Sequence, residues 1–251
     1  MHMQHRKKNN MIRIFKDVDE LSVAAAEIFV DAAKEAINKR GKFNVALTGG
    51  SSPAKLYELL SGSKYNYKID WKKTFVFWGD ERWVPIDDDK SNAGMANKLL
   101  LDKVDIPKQN IFPMWKAGIE PEKYAEQYAE LLYEHLGESG KFDLILSGMG
   151  DDGHTASLFP ETEVLNEKTK WVTSYYLDSQ QMFRITLTAP MLNRARKNVV
   201  LVFGANKANA FNEVISGKSN SKKYPSQLLR PVSGELIWLV DDAAASKLPV
   251  K

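Results

Sequence analysis

The 251-residue chain has no cysteine. That excludes disulfides, a cysteine nucleophile and thiolate metal sites, and it suits a reducing, cytoplasmic setting. Histidine is scarce, with four in all. A three-ligand zinc site therefore has little support, and no metal or other cofactor is expected. The net charge of +3 is too small to argue for a nucleic-acid partner. No apolar run is long enough to span a membrane. The start, MHMQHRKKNNMIRIF, is polar and basic and does not read as a secretory signal. Residues 1–10 read as a flexible tail, and 11–251 as a single domain.

What remains is an ordinary globular balance, 43% hydrophobic and 27% charged. Apolar strand patterns alternate with helical periodicity along the chain. Strands are expected at 11–15, 42–48, 73–80, 141–147, 183–188, 198–204 and 235–241. Helices are expected at 23–40, 53–61, 91–102, 120–136, 189–197, 207–216 and 242–248. The alternation, with several strands almost wholly apolar, argues for a mostly parallel α/β sheet covered on both faces. The polar stretch SGKSNSKKYPS (216–226) is the best candidate for a flexible loop.

Ligands of open parallel sheets sit beyond the carboxyl ends of the strands. Four such ends carry unusual residues: TGGSSP after NVAL, GDERWVP after TFVFW, GMGDDGHTAS after LILS, and GANK after VVLVF. In the first, Gly49 and Gly50 allow a tight turn. Ser52 suits an N-cap and Pro53 the first helical position, so backbone amides and the helix dipole would favour an anion there. A plain strand-to-helix turn has the same appearance. In the second, Asp80 and Glu81 offer a carboxylate for proton work beside the Arg82 guanidinium, although a turn with a local ion pair would read alike. In the third, His154 follows Asp151, Asp152 and Gly153. An imidazole there can take a proton from water and return it, with a nearby aspartate fixing its tautomer. His2 and His5 fall in the tail. His135 falls near the end of a long helix, where a positive group is favourable.

Taken in order, TGGSSP, GDERWVP, GMGDDGHTASLFP and RITLT strongly resemble the 6-phosphogluconolactonase family, which is related to the glucosamine-6-phosphate deaminases. The resemblance covers nearly all of the chain after the tail. It implies the deaminase-type fold, a three-layer α/β/α sandwich with a Rossmann-like sheet. It also implies hydrolysis of 6-phosphoglucono-1,5-lactone in the oxidative pentose phosphate pathway without a required metal; a monomer or weak homodimer is expected. Carried over residue by residue, it makes His154 the general base and places Asp80 close to the reacting sugar. It assigns the phosphate to the Gly49–Gly50–Ser51 loop, Arg82, Arg184 and Lys207. The loop reads GGSSP where the family commonly has GGSTP, and QQMF precedes Arg184 where the family often has prolines. The related deaminases carry an acidic residue five positions after the histidine; here that position is Phe159. A sugar-phosphate isomerase or deaminase, and a non-enzymatic sugar-phosphate sensor, are the competing readings. The sensor lacks a helix-turn-helix segment and has little use for His154. Lactone hydrolysis needs no covalent intermediate, so Thr155 and Ser157 read as structural or hydrogen-bonding rather than nucleophilic.

Overall fold

A computed structural model describes residues 10–249 of the chain. The expected tail, with His2 and His5, lies outside the described residues except for Asn10, which already belongs to the first strand. The elements are β1 (Asn10–Phe15), α1 (Val18–Arg40), β2 (Phe43–Leu47), α2 (Ala54–Ser61), β3 (Thr74–Trp78), β4 (Asp80–Arg82), α3 (Asn92–Leu99), α4 (Pro121–Leu136), β5 (Leu144–Gly148), β6 (Val172–Leu177), β7 (Met182–Leu187), α5 (Ala189–Leu192), β8 (Lys197–Val202), α6 (Ala208–Ser216), β9 (Glu235–Asp241) and α7 (Asp242–Ala245).

Six strands form one sheet in the order β1-β9-β8-β5-β2-β3, every adjacent pair parallel. Its inner strands are buried and largely apolar, as a sheet covered by helices on both faces requires. Helix α1 starts earlier than its apolar periodicity suggests. The Asp17 carboxylate caps it, accepting from the amides of Asp19 and Glu20 at 3.0 Å each. It stops at Gly41, whose left-handed φ of 76° closes the last turn onto Ile37 O. Its inner face sets Phe29 edge-on to Phe43, with ring centroids 5.3 Å apart. Burying one such phenyl contributes about 1.5–3 kcal/mol.

The strand order reverses between β2 and β5. From β2 the chain moves outward to β3, then returns past β2 to β5 and continues to β8 and β9. The carboxyl ends at this reversal are the expected place for a ligand.

The expected strand 73–80 is broken at Gly79. The Gly79 N–H donates to Leu47 O at 2.8 Å, inside the parallel sheet. Its carbonyl accepts from Leu187 N at 2.8 Å, in a second sheet. That second sheet is antiparallel, in the order β4-β7-β6. The segment 183–188 is thus a strand, as its pattern indicates, but it does not join the parallel sheet. Its partner β6 went unassigned in the sequence reading, although VTSYYL is rich in β-branched and aromatic residues.

Helix α5 is shorter than expected because Asn193 ends it. The Asn193 side chain donates to Leu228 O at 2.8 Å and accepts from Arg230 N at 2.5 Å, turning the chain aside. His135 lies in the last turn of α4, as expected, and is half-buried. Its ring packs among Phe75, Phe77 and Phe112. Burial, followed by the charge of Lys42, lowers its pKa.

Candidate active site

A cavity opens at the strand reversal. Eight residues singled out from the sequence line it: Gly49, Gly50, Ser51, Asp80, Arg82, His154, Arg184 and Lys207. Asp152 is not in the lining but contacts the His154 ring. Each of the four strand ends flagged in the sequence contributes, and the second sheet adds Arg184.

The His154 ring is held by its own turn. Nδ1 lies 2.6 Å from Asp152 Oδ1, and the same oxygen accepts the His154 backbone N–H at 2.9 Å. Burial pushes the Asp152 carboxyl pKa up, but these hydrogen bonds outweigh it and hold the group below its ordinary value. An ionised carboxylate only accepts, so the Nδ1 position carries the ring proton and Nε2 is left as the basic nitrogen. The turn closes with Gly150 N donating to His154 O at 2.9 Å. A Cβ on Gly150 would fall 2.1 Å from His154 Nδ1 and 2.5 Å from Asp152 Oδ1. This explains a histidine in a glycine-rich turn: the backbone passes where a side chain would displace the pair.

The Gly49–Ser52 loop is built for close approach. A Cβ on Gly49 would sit 1.7 Å from Asn92 Oδ1. Helix α2 begins one residue later than expected, with Pro53 as its cap residue, and Ser52 makes no capping bond. Among the described residues, no partner meets the N–H groups of Gly49, Gly50, Ser51 or Ser52. These amides and the helix dipole behind them suit an anion.

The three residues of β4 alternate in direction, as strand residues do. Asp80 and Arg82 face the cavity. Glu81 is fully buried on the other side. Its carboxylate accepts from the amides of Asn92 at 2.7 Å, Ala93 at 2.8 Å and Arg82 at 2.8 Å, and from Ser91 Oγ at 3.1 Å. Glu81 is therefore the N-terminal anchor of α3 rather than a proton carrier in the cavity. Burial raises its pKa to about 7 against the pull of those amides. The anchoring seats Asn92, whose Nδ2 donates to Asp80 O at 2.9 Å.

Asp80 is buried and held from two sides. Ser157 Oγ donates to its Oδ2 at 2.7 Å, and Arg184 Nη1 lies 3.8 Å from the same oxygen. Ser157 is itself buried, in keeping with a hydrogen-bonding role. Arg184 is 2% exposed and also donates to Gln180 Oε1. Burial lowers its pKa, Asp80 opposes that, and Arg82 adds to it. The Nε atoms of both Arg82 and Arg184 are buried without a partner among the described residues.

The family model described as glucosamine-6-phosphate isomerases/6-phosphogluconolactonase matches residues 16–238. The chain belongs to this family. A curated relative, 6-phosphogluconolactonase of Synechocystis sp., is 44% identical over 218 residues, covering 85% of this chain and 88% of that one. The solved structure of 6-phosphogluconolactonase from Trypanosoma brucei superposes with a TM-score of 0.83 at 28% identity, covering 96% of this chain and 99% of that one. A monomeric glucosamine-6-phosphate deaminase superposes at 0.81 with 20% identity, over 94% and 99% of the two chains, a likeness of fold.

In this member of the glucosamine-6-phosphate isomerase/6-phosphogluconolactonase family, the cavity also includes residues not singled out from the sequence, among them Asn92, Gln180 and, as a wall residue, Phe159. Asn92 is the second residue of the expected 91–102 helix, where nothing local marks its side chain as part of a cavity. Gln180 opens the QQMF noted before Arg184, but nothing local marks it as the partner that the β6–β7 turn brings to Arg184. The segment 216–226, expected as a flexible loop, is tied down. Ser226 N donates to Gly153 O at 2.9 Å, Glu161 N to Lys222 O at 3.0 Å, and the Gln227 amide to Glu213 O and Lys218 O at 2.9 and 3.1 Å. It backs the histidine turn.

Proposed function

We propose that the chain is a 6-phosphogluconolactonase, converting 6-phospho-D-glucono-1,5-lactone to 6-phosphogluconate in the oxidative pentose phosphate pathway. The observation that carries this reading is the Asp152-paired His154 in one cavity with Arg82, Arg184 and the unpartnered amides of Gly49–Ser52. The cavity thus brings together a base and groups suited to a dianion. The curated relatives of that name, at high coverage, support the same reaction.

In this mechanism His154 Nε2 takes a proton from water as the water attacks the lactone carbonyl. The resulting imidazolium is stabilised by Asp152 and then protonates the ring oxygen as the C–O bond breaks. Charge on the carbonyl oxygen is met by Arg82 or by amides of the histidine turn. The Gly150 N–H is not among these, because it is spent on His154 O. Ser51, Arg82, Arg184 and Lys207 hold the phosphate, and that remote binding energy orients the ring. Asp80 lies beside the sugar and fixes Arg184. The catalytic unit is a single domain over 11–251, cytoplasmic, acting as a monomer or weak homodimer. Among the described residues, no helix is long and apolar enough to cross a membrane.

The reading is tested with two assays on one preparation: acid release from 6-phosphogluconolactone above the spontaneous rate, and ammonia release from glucosamine 6-phosphate. Fast hydrolysis with no ammonia is expected. Ammonia turnover in a preparation inert towards the lactone would overturn the reading.

A further inference from the structure

His154 has one side-chain hydrogen bond, at Nδ1, to a carboxylate that is itself 42% exposed. One bond fixes one ring atom. It does not fix the plane of the imidazole, because the outer torsion of histidine is soft. A second contact supplies what is missing. The Phe159 phenyl ring stacks on the imidazole with centroids 4.1 Å apart and planes 24° from parallel. The guanidinium carbon of Arg184 lies 5.4 Å from the centroid of the same phenyl ring. Phe159 is 7% exposed, and its carbonyl accepts from Thr162 Oγ1 at 2.6 Å. The next residues are tied to the 216–226 segment through Glu161 N. The phenyl therefore rests on a fixed backbone and touches both the base and the buried arginine.

We propose that Phe159 is a positioning residue that fixes the imidazole plane of His154 and its separation from Arg184. This rests on the reading of His154 as the base. Arg184 has other holds, Gln180 and Asp80, whereas the imidazole of His154 has besides Phe159 only its bond to Asp152 and the Gly150 backbone beside it. Loss of the phenyl should therefore fall mainly on kcat. Misplacing a reacting group by about 1 Å can cost on the order of 10² in rate.

The test compares Phe159→Tyr, Phe159→Leu and Phe159→Ala. The tyrosine variant keeps the flat ring and should retain kcat within about threefold, while leucine keeps the bulk and loses the flat face, costing about tenfold. Alanine should lose about 10- to 100-fold, with KM moving less than kcat. In histidine-labelled protein, the His154 ring protons should be shifted by the phenyl ring current in the wild type and in Phe159→Tyr, and not in Phe159→Leu. If the alanine variant does not fold, tyrosine against leucine decides. Equal kcat for those two, or His154 ring resonances unmoved by Phe159→Leu, overturns the proposal. Wild-type protein inert towards the lactone would defeat the functional reading instead, and the resonances would still report whether Phe159 holds the imidazole.

Discussion

Arg82 and Arg184 stand directly opposite each other across the antiparallel β4–β7 pair, and both line the cavity. Like charges facing across a ladder are destabilising. Asp80 offsets part of this repulsion from 3.8 Å. On the proposed function, the substrate phosphate would lie between the two guanidinium groups and offset more of it.

Inorganic phosphate should therefore raise the melting temperature of the wild type by several degrees near saturation, since a ligand at 100 times its Kd stabilises by about 2.7 kcal/mol. The shift should shrink sharply in Arg184→Ala. The same variant should raise KM for the phosphorylated lactone by about 10- to 100-fold, the loss of a charged hydrogen bond worth about 1.5–3 kcal/mol. An unchanged KM would remove Arg184 from the phosphate site.

Asp152→Asn should keep the fold and lose activity by roughly 10- to 10³-fold, because an amide no longer enforces the Nδ1–H tautomer. The stability term from this carboxylate has a definite sign. Its pKa is lowered in the folded protein, so its contribution is present above the ordinary carboxylate range and fades as acid is added. The side chain is 42% exposed, so that contribution is small. Thermal melts from pH 7 down to 3 should differ little between wild type and variant, while kcat differs throughout the neutral range.

The parallel sheet was legible because its strands are nearly continuous apolar runs and its helices carry clear periodicity. The second sheet was not. Nothing local in GDER tells the chain to leave one sheet and enter another at Gly79; that turn is set by Leu187, far along the sequence. The residues of the DER motif were identified, but their division of labour was hidden, since strand alternation sends Glu81 to α3 and its neighbours to the cavity. His154 was legible from its glycines and aspartates, and the position of Phe159 was noted as a departure from the deaminases. The stacking of Phe159 on the base follows only from the fold.

Glu81 gives a pH-dependent prediction of opposite sign. Its pKa rises from the ordinary 4.5 to about 7 on folding. Between those values the folded protein keeps a proton that the unfolded chain has lost. Its stabilisation is full below about 4.5 and disappears as the pH rises through about 7, a change on the order of 3 kcal/mol. Glutamine does not titrate. The melting temperature of wild type relative to Glu81→Gln should therefore fall as the pH is raised from 4.5 to 7.5. A constant difference across that range would mean the carboxyl titrates alike in both states.

The measurement closest to the central claim is the rate of 6-phosphogluconolactone hydrolysis by His154→Ala against wild type, corrected for spontaneous opening. Removing a general base costs roughly 10² to 10⁴ in rate. His154 is a turn residue whose loss removes little core packing, so the melting temperature should stay within a few degrees of wild type. The account predicts a folded protein with kcat reduced by that factor and phosphate binding retained. Near-normal turnover in the folded variant would contradict it.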